Sequence, residues 1–464
     1  MSRVGTIVEQ IAERVSRGVL KPGQRLPSVR AGAVEHGVSK NTMADAYDRL
    51  VAMGHLQARP GSGYYVSATR PLSSAQRSRH VAQAIDTVSL LREQLVQHYE
   101  VRVGDGRPPP SWMERFDLGR PGGNAKALRD TDIGHGYGNP WGYKPLRERI
   151  ALALAERGIQ AGAEQVLLTH GANHALDLVA RQLLEPGDVA LVDSPGYYPL
   201  FGKLRFSNVK LVGVHRRADG PDLDDLAQKA AAFKPKVFFT QSLAHNPTGG
   251  SLTLPVGHRV LQAAAQYGFY IVEDDPFADI LPAASPRLAT LDQLERVIYV
   301  GTFSKTLSAS LRVGYLAANP ALAHALCDLK MLTLVSTSDY VERVVFNLIA
   351  SGQYLKHQRR LKAHVERATR DALAALKGVG MALPYAPGGG FYLWARLRPG
   401  QDELALASQA SDASIFLAPG AIFMPDRGQL TSALRINIAY ATDPRFLDFM
   451  KRQLARPAPA ARPR

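Results

Sequence analysis

The stretch VIYVGTFSKTLSASLRVGYLA, residues 297–317, decides how the rest of the chain is read. Val297–Val300 is an apolar run of strand length that passes straight into Gly301, Thr302, Phe303, Ser304 and Lys305, with Arg312 seven residues beyond the lysine. Hydroxyls, a lysine and an arginine beyond the end of a buried strand are placed where open α/β sheets bind their ligands. Similar runs precede it at Val166–Thr169, Val189–Val192, Leu211–Val214, Val237–Thr240 and Tyr270–Val272. Helical patterns lie between several of them, at His174–Leu184, Leu223–Phe233 and Pro255–Tyr267. This alternation predicts an α/β fold with a mostly parallel sheet covered by helices.

The residues that follow each run have a common chemistry. Gly171, Ala172 and Asn173 open a helix after Thr169, and free N–H groups at such a start suit a phosphate. Val189–Val192 leads to Tyr197, and Val237–Thr240 leads to His245-Asn246-Pro247-Thr248-Gly249. Tyr270–Val272 ends in Glu273-Asp274-Asp275-Pro276-Phe277. A lysine can form a Schiff base with an aldehyde cofactor. A carboxylate against a pyridine nitrogen keeps that ring protonated and electron-withdrawing, as pyridoxal phosphate (PLP) chemistry requires. An amide can bond the ring hydroxyl, a tyrosine can stack on the ring, and Thr302, Ser304 and Arg312 can hold the phosphate dianion. Singly these features are ordinary: a lone lysine after a strand is a solvated group, and Asn-Pro-Thr-Gly is a turn. Five of them in order at successive strand ends favour one site.

Residues 113–450 resemble a fold type I aminotransferase, the aspartate aminotransferase superfamily. The resemblance rests on HGYGNPWGYKPLRERIALALAERGI (135–159), LLTHGANHALDLVARQLLEPGD (167–188), AHNPTGG (244–250), VEDDPF (272–277), GTFSKTLSASLRVGYLA (301–317) and LRINIAY (434–440). It implies that Lys305 carries PLP, that Asp274 meets the pyridine nitrogen, that Asn246 binds the ring oxygen and that Tyr197 stacks on the ring. It also implies that Gly171, Ala172, Asn173, Thr302, Ser304 and Arg312 surround the cofactor phosphate end. Arg435 matches the arginine that clamps a substrate α-carboxylate. Tyr137 matches a tyrosine that reaches into the neighbouring subunit's site, which implies a homodimer. Phe277 departs from the family, which has a tyrosine hydroxyl there bonded to the ring oxygen.

Residues 6–66 read as three helices and a hairpin. Ile7, Ile11 and Val15 share a face of the first helix, Pro27-Ser28 starts the second and Gly37 stops it. Ser39 is an N-cap for the third, with Met43, Tyr47 and Leu50 turned inward. HLQARPGSGYYV then gives strand, Gly-rich turn and strand, completing a winged helix-turn-helix whose third helix enters the major groove. The segment resembles a GntR-type DNA-binding domain through GVLKPGQRLPSVR (18–30), GVSKNTMADAYDRL (37–50) and GHLQARPGSGYYV (54–66). That resemblance places Arg30, Ser39, Lys40, Asn41 and Thr42 against DNA, and Arg59 and Gly61 at the wing. Gly32 replaces the usual leucine of the second helix, with an expected loss of core contact and of about 1 kcal/mol of helix propensity.

Charge fits this division. Lys and Arg number 56 against 41 Asp and Glu, and residues 1–70 hold ten basic and five acidic side chains. A basic module suits a polyanion such as DNA. Hydrophobic residues at 45% and charged residues at 21% exclude wholesale disorder. No run of about 18 apolar residues suggests a membrane span. The single cysteine, Cys327, and an N-terminus interrupted by Glu9, Glu13 and Arg14 point to the cytoplasm. His170 and His174 have metal-pair spacing without a third ligand nearby, so no metal is expected. GGGFYLW (388–394) reads as a tight turn and strand near the substrate carboxylate.

The expected organisation is a winged helix over 1–68, a linker over 69–112 with a helix from Ala82 to Tyr99, and the aminotransferase-like domain over 113–464. The latter has a smaller C-terminal subdomain and a disordered tail at 455–464. A GntR-like winged helix joined to an aminotransferase-like domain resembles the MocR/GabR family of PLP-dependent transcription regulators. The resemblance implies operator DNA as partner, an amino-compound effector sensed through an external aldimine, and a head-to-tail homodimer. A working class I/II aminotransferase with a DNA-binding appendage is the alternative.

Overall fold

The computed structural model describes residues 3–16, 20–59, 61–67, 99–113, 136–398, 401–426 and 429–455. The chain divides into two compact units, Met1–Ser78 and Arg79–Arg464.

In the first unit, α1 (Arg3–Ser16), α2 (Val29–Glu35) and α3 (Lys40–Ala52) precede a hairpin of β1 (Leu56–Arg59) and β2 (Gly63–Val66). Ser28 caps α2 by accepting from the Ala31 N–H, and Ser39 caps α3 by accepting from Thr42. Ile7, Ile11, Leu26, Met43, Tyr47, Leu50 and Val66 form the core. Gly32 is a departure from expectation. It is buried, and a Cβ there would sit 3.0 Å from Met43 Cε and 3.1 Å from the Tyr47 hydroxyl. The space a leucine would fill is already taken by these two side chains, so core contact is exchanged rather than lost.

The second unit is built on a sheet of order β3-β10-β9-β8-β7-β4-β5-β6. Its strands are β3 (Val166–Thr169), β4 (Val189–Ser194), β5 (Lys210–Arg217), β6 (Gly220–Pro221), β7 (Val237–Thr240), β8 (Tyr270–Asp275), β9 (Val297–Thr302) and β10 (Gly314–Ala317). Each apolar run noted above is a strand, several extended by polar residues at their ends. β10 was not foreseen; it runs antiparallel between β3 and β9. It carries the chain from Arg312 back beside the start of the first covering helix. At Gly314 a Cβ would lie 2.7 Å from Gly171 Cα, so two backbones meet there with no room for a side chain.

The helices Lys144–Glu156 (α4), Ala172–Leu183 (α5), Tyr198–Phe206 (α6), Leu223–Phe233 (α7) and Leu254–Tyr267 (α8) connect or flank these strands. Because successive side chains along a strand point to opposite faces, the sheet feeds two cores. Leu168, Phe238, Ile271 and Tyr299 pack on one side, and Leu167, Phe239, Val272 and Ile298 on the other. Beyond them, a small sheet of β11 (Tyr392–Arg396), β12 (Ala418–Pro419) and β13 (Ala433–Asn437) packs with the helix Gln353–Gly378 into a third core.

The linker reading needs correction at its end. Val101 and Val103 are 1% and 0% exposed and belong to that third core. Their segment is bonded to it through Val101 N–H to Ser414 O, Gly104 N–H to Phe416 O and Asn437 N–H to Val103 O. Apolar valines alternating with polar residues make this a buried strand-like segment, not a spacer. The helix expected over 82–99 lies outside the described residues apart from Tyr99, as does the tail beyond Ala455.

Candidate functional site

One cavity of about 610 Å³ collects most of the residues expected at the strand ends. Lys305, Thr302, Ser304 and Arg312 line it, together with Ala172, Asn173, Tyr197, Asn246, Asp274 and Arg435. The expected set therefore converges, although its members span more than half the chain.

At one end the groups suit a phosphate. Gly171, at φ +73°, caps α5, and a Cβ there would lie 2.7 Å from Arg312 Nη2. Arg312 donates to Ser304 Oγ at 3.3 Å and to the His170 carbonyl at 3.0 Å. Thr302 Oγ1 donates to Ser304 Oγ at 3.0 Å and accepts from the Ser304 N–H. A helix start, two hydroxyls and a guanidinium thus share one corner.

In the middle, Asp274 sits on β8, with Asp275 turned the other way to Arg287 and the Tyr299 hydroxyl. Asp274 Oδ2 accepts from Gln241 Nε2 at 2.6 Å, while its Oδ1 is buried with no partner. Burial pushes this carboxyl up to about 6, against the Gln241 hydrogen bond and the charge of Lys305, which act in the opposite direction. An N–H⁺ of a pyridine ring would satisfy that oxygen and favour the carboxylate. Tyr197 is half-buried in the cavity wall, its hydroxyl donating to Asn173 Oδ1 at 3.3 Å. Lys305 Nζ donates to the Gly106 carbonyl at 2.5 Å. The chemistry of this donor set and the unpaired Asp274 oxygen fit PLP.

At the far end, Arg435 on β13 is 2% exposed. It donates to Asn246 Oδ1 at 3.0 Å and to the Gly104 carbonyl at 2.8 Å. Its guanidinium carbon lies 4.8 Å from the ring centres of both Tyr392 and Phe423. Both acceptors are neutral and its Nε has no partner, so among the described residues this buried cation has no counter-ion. The GGGFYLW strand is its neighbour, with Trp394 opposite Arg435 in the ladder.

Two expected residues lie elsewhere. Phe277 packs edge-on against Phe391 and Tyr392, with ring centres 5.0 and 5.8 Å apart, and Pro276 lines the cavity in its place. Tyr137 is 87% exposed and lines a separate opening with His170, Asp339, Tyr340 and Arg343. Conversely Gly106, Arg107, Tyr198, Gln241 and Tyr392 line the cavity without having been singled out. Tyr392 puts a phenol on the cavity wall; its hydroxyl donates to the Gly106 carbonyl at 2.8 Å. Its only sequence signal was a place after three glycines. No cluster of metal-ligating side chains occurs among the described residues.

In the first unit, Arg30, Ser39, Lys40, Asn41, Arg59 and Gly61 are exposed and Thr42 is half-buried. The Arg59 guanidinium stacks 4.4 Å from the centre of the Tyr65 ring, on the hairpin.

Sheet topology, Lys305, Asp274 and Arg435 together define a fold type I, PLP-dependent protein. The chain belongs to the aminotransferase class I and II family, whose model matches residues 95–451, and its residues 3–66 match the bacterial regulatory proteins of the gntR family. It is 26% identical over 440 residues to the HTH-type transcriptional regulator NorG of Staphylococcus aureus, covering 90% of this chain and 96% of that protein. It is 27% identical over 443 residues to the uncharacterized HTH-type transcriptional regulator YdcR of Escherichia coli, covering 91% and 92%. Among solved structures it is similar to kynurenine aminotransferase of Pyrococcus horikoshii, in complex with PMP, at TM-score 0.71 and 25% identity, covering 80% of this chain and 93% of that one. The α-aminoadipate aminotransferase LysN of Thermus thermophilus is similar at TM-score 0.71 and 27% identity, covering 80% and 96%. No helix among the described residues is long and apolar enough to cross a membrane.

Proposed function

We propose that this protein is a PLP-dependent transcription regulator, acting in the cytoplasm, whose larger unit senses an amino compound and whose winged helix binds operator DNA. The observation that carries this reading is the presence, in one chain, of a gntR-family domain and a cavity lined by Lys305, Asp274, Asn246, Tyr197, Thr302, Ser304 and Arg312. Relatives named as HTH-type transcriptional regulators match across both parts.

Bound PLP supplies an aldehyde that condenses reversibly with amines and a ring that withdraws electrons. The chain's own groups do the rest. Lys305 would supply the amine that holds the aldehyde. Asp274 would hold a proton at the ring nitrogen, Asn246 would bond the ring oxygen, and Tyr197 would cover the ring. Gly171, Ala172, Asn173, Thr302, Ser304 and Arg312 hold the phosphate. Arg435, a buried cation without a counter-ion, takes the effector carboxylate in a bidentate pair. DNA contacts fall to Arg30, Ser39, Lys40, Asn41, Thr42, Arg59 and Gly61. An effector changes DNA binding only if it binds two conformations unequally.

The active form in this reading is a head-to-tail homodimer. Tyr137, Leu332, Val335 and Tyr340 are large apolar side chains left exposed, and Tyr137 and Tyr340 border the same opening. A second copy would cover them and receive Tyr137 in its site.

Visible-absorbance titration of the PLP-loaded chain with amino acids and amines tests the reading, with Lys305→Ala as the control that removes the linkage. One compound should change the band persistently and alter retention of upstream DNA in a mobility-shift assay. The retained Lys305, Asp274 and Arg435 favour a second reading, an active aminotransferase. If the band bleaches and a keto acid restores it through repeated cycles, with no effect on DNA, that second reading replaces the first.

A further inference from the structure

We infer that Gln241 is a positioning residue of the cofactor site, fixing the Asp274 carboxylate in place and tying it to the Asn246 turn. The inference rests on the cavity being the PLP site.

Gln241 is the first residue after β7, buried in the wall of the cavity. Its side-chain oxygen accepts from the Asn246 backbone N–H at 2.7 Å. A backbone N–H can only donate, so this bond decides which way the amide faces. The Nε2 group must then point the other way, and there it donates to Asp274 Oδ2 at 2.6 Å. The residue is held from behind as well. Its own N–H donates to Asp193 Oδ2 at 3.2 Å, and that carboxylate is fixed by Arg216 Nη1 at 3.1 Å and Thr240 Oγ1 at 2.9 Å. Gln241 is thus clamped at both ends before it touches Asp274.

Two consequences follow. With Oδ2 engaged, Asp274 cannot rotate without breaking a short bond, so its unpartnered Oδ1 is the atom left for the ring nitrogen. No other described side chain donates to Asp274, so Gln241 alone supplies the hydrogen bond that favours the charged form against burial. One amide also links the groups assigned to two different edges of the ring, Asn246 and Asp274. A donor with no acceptor role, or an acceptor with no donor role, could not make both bonds.

The test uses the full chain and reads PLP affinity by equilibrium dialysis, together with the pH dependence of the bound cofactor's visible band. Q241L removes both bonds at nearly constant volume. Q241E keeps the acceptor for Asn246 but sets a carboxylate against Asp274. Q241L should weaken PLP binding about tenfold, and Q241E more than that, with the band's pH midpoint moved in both. In a D274N background, Q241L should cost less than about threefold, because its partner charge is gone. Wild-type affinity and pH profile in Q241E would overturn the proposal, as would a full tenfold loss persisting in D274N. Either result makes Gln241 a packing residue of the turn. Should Q241L fail to fold, Q241E carries the test. Absence of PLP binding by the wild-type chain would instead sink the cofactor reading itself.

Discussion

The two units treat charge in opposite ways. The winged-helix unit buries apolar side chains and keeps its cations in water; the Tyr47 hydroxyl, donating to the Pro27 carbonyl, is its main buried polar group. Burial pushes that phenol up to about 12, so it stays neutral. The aminotransferase-like unit buries Arg216, Arg287, Arg435 and Lys330 outright. Arg216 meets Asp193, Arg287 meets Asp275, and Lys330 donates to the carbonyls of Pro140 and Leu168 and to Thr337 Oγ1. Of these three arginines only Arg435 has neutral acceptors alone. Burying a charge is costly unless it is paired. A surface cation serves a polyanion through released counterions, whereas Arg435, unpaired and lining the cavity, is the cation we propose for a single small anion.

If that contrast is right, the largest effect belongs to Arg435→Leu. It should weaken the response to a carboxylated effector by on the order of a hundredfold, read by absorbance titration, and leave DNA retention unchanged. Gly32→Leu comes next, since it forces a side chain into space held by Met43 and Tyr47; a loss of about 1–3 kcal/mol in the first unit's unfolding transition is expected. Equal stability would show that α2 can shift freely. Lys40→Ala should weaken specific and non-specific DNA alike by roughly tenfold and flatten the salt dependence by about one unit of slope. A change confined to one sequence would make Lys40 a base reader instead. The smallest effect is Ser39→Ala, which removes the α3 cap and should cost about 1 kcal/mol by thermal melting.

The same contrast explains what could be read from the chain before folding. Short apolar runs such as Val237–Thr240 are buried on both faces, so composition alone marks them as strands, and the polar residues at their ends become the site. Ser28 and Ser39 announced their helices through local capping chemistry. β10 escaped because Gly-Tyr-Leu-Ala is no more apolar than its flanks, and its antiparallel placement depends on β3 and β9 already being there. Residues 101–107 escaped for a similar reason. Their role comes from pairing with residues some 300 positions away, among them Ser414 and Phe416. Gln241 and Tyr392 carry no local signature; only the cavity shows what they touch. The family resemblance set Phe277 where a tyrosine meets the ring oxygen, but its packing against Phe391 and Tyr392 draws it away.

Gly314 and Gly171 carry no reactive group, yet their backbones lie within reach of each other beside the cofactor cradle. In a saturation-mutagenesis map both columns should be nearly blank, as intolerant as the column for Lys305. A map of this protein read without coordinates would therefore overcount its chemical residues. The excess would trace the seam where β10 is threaded against the start of α5.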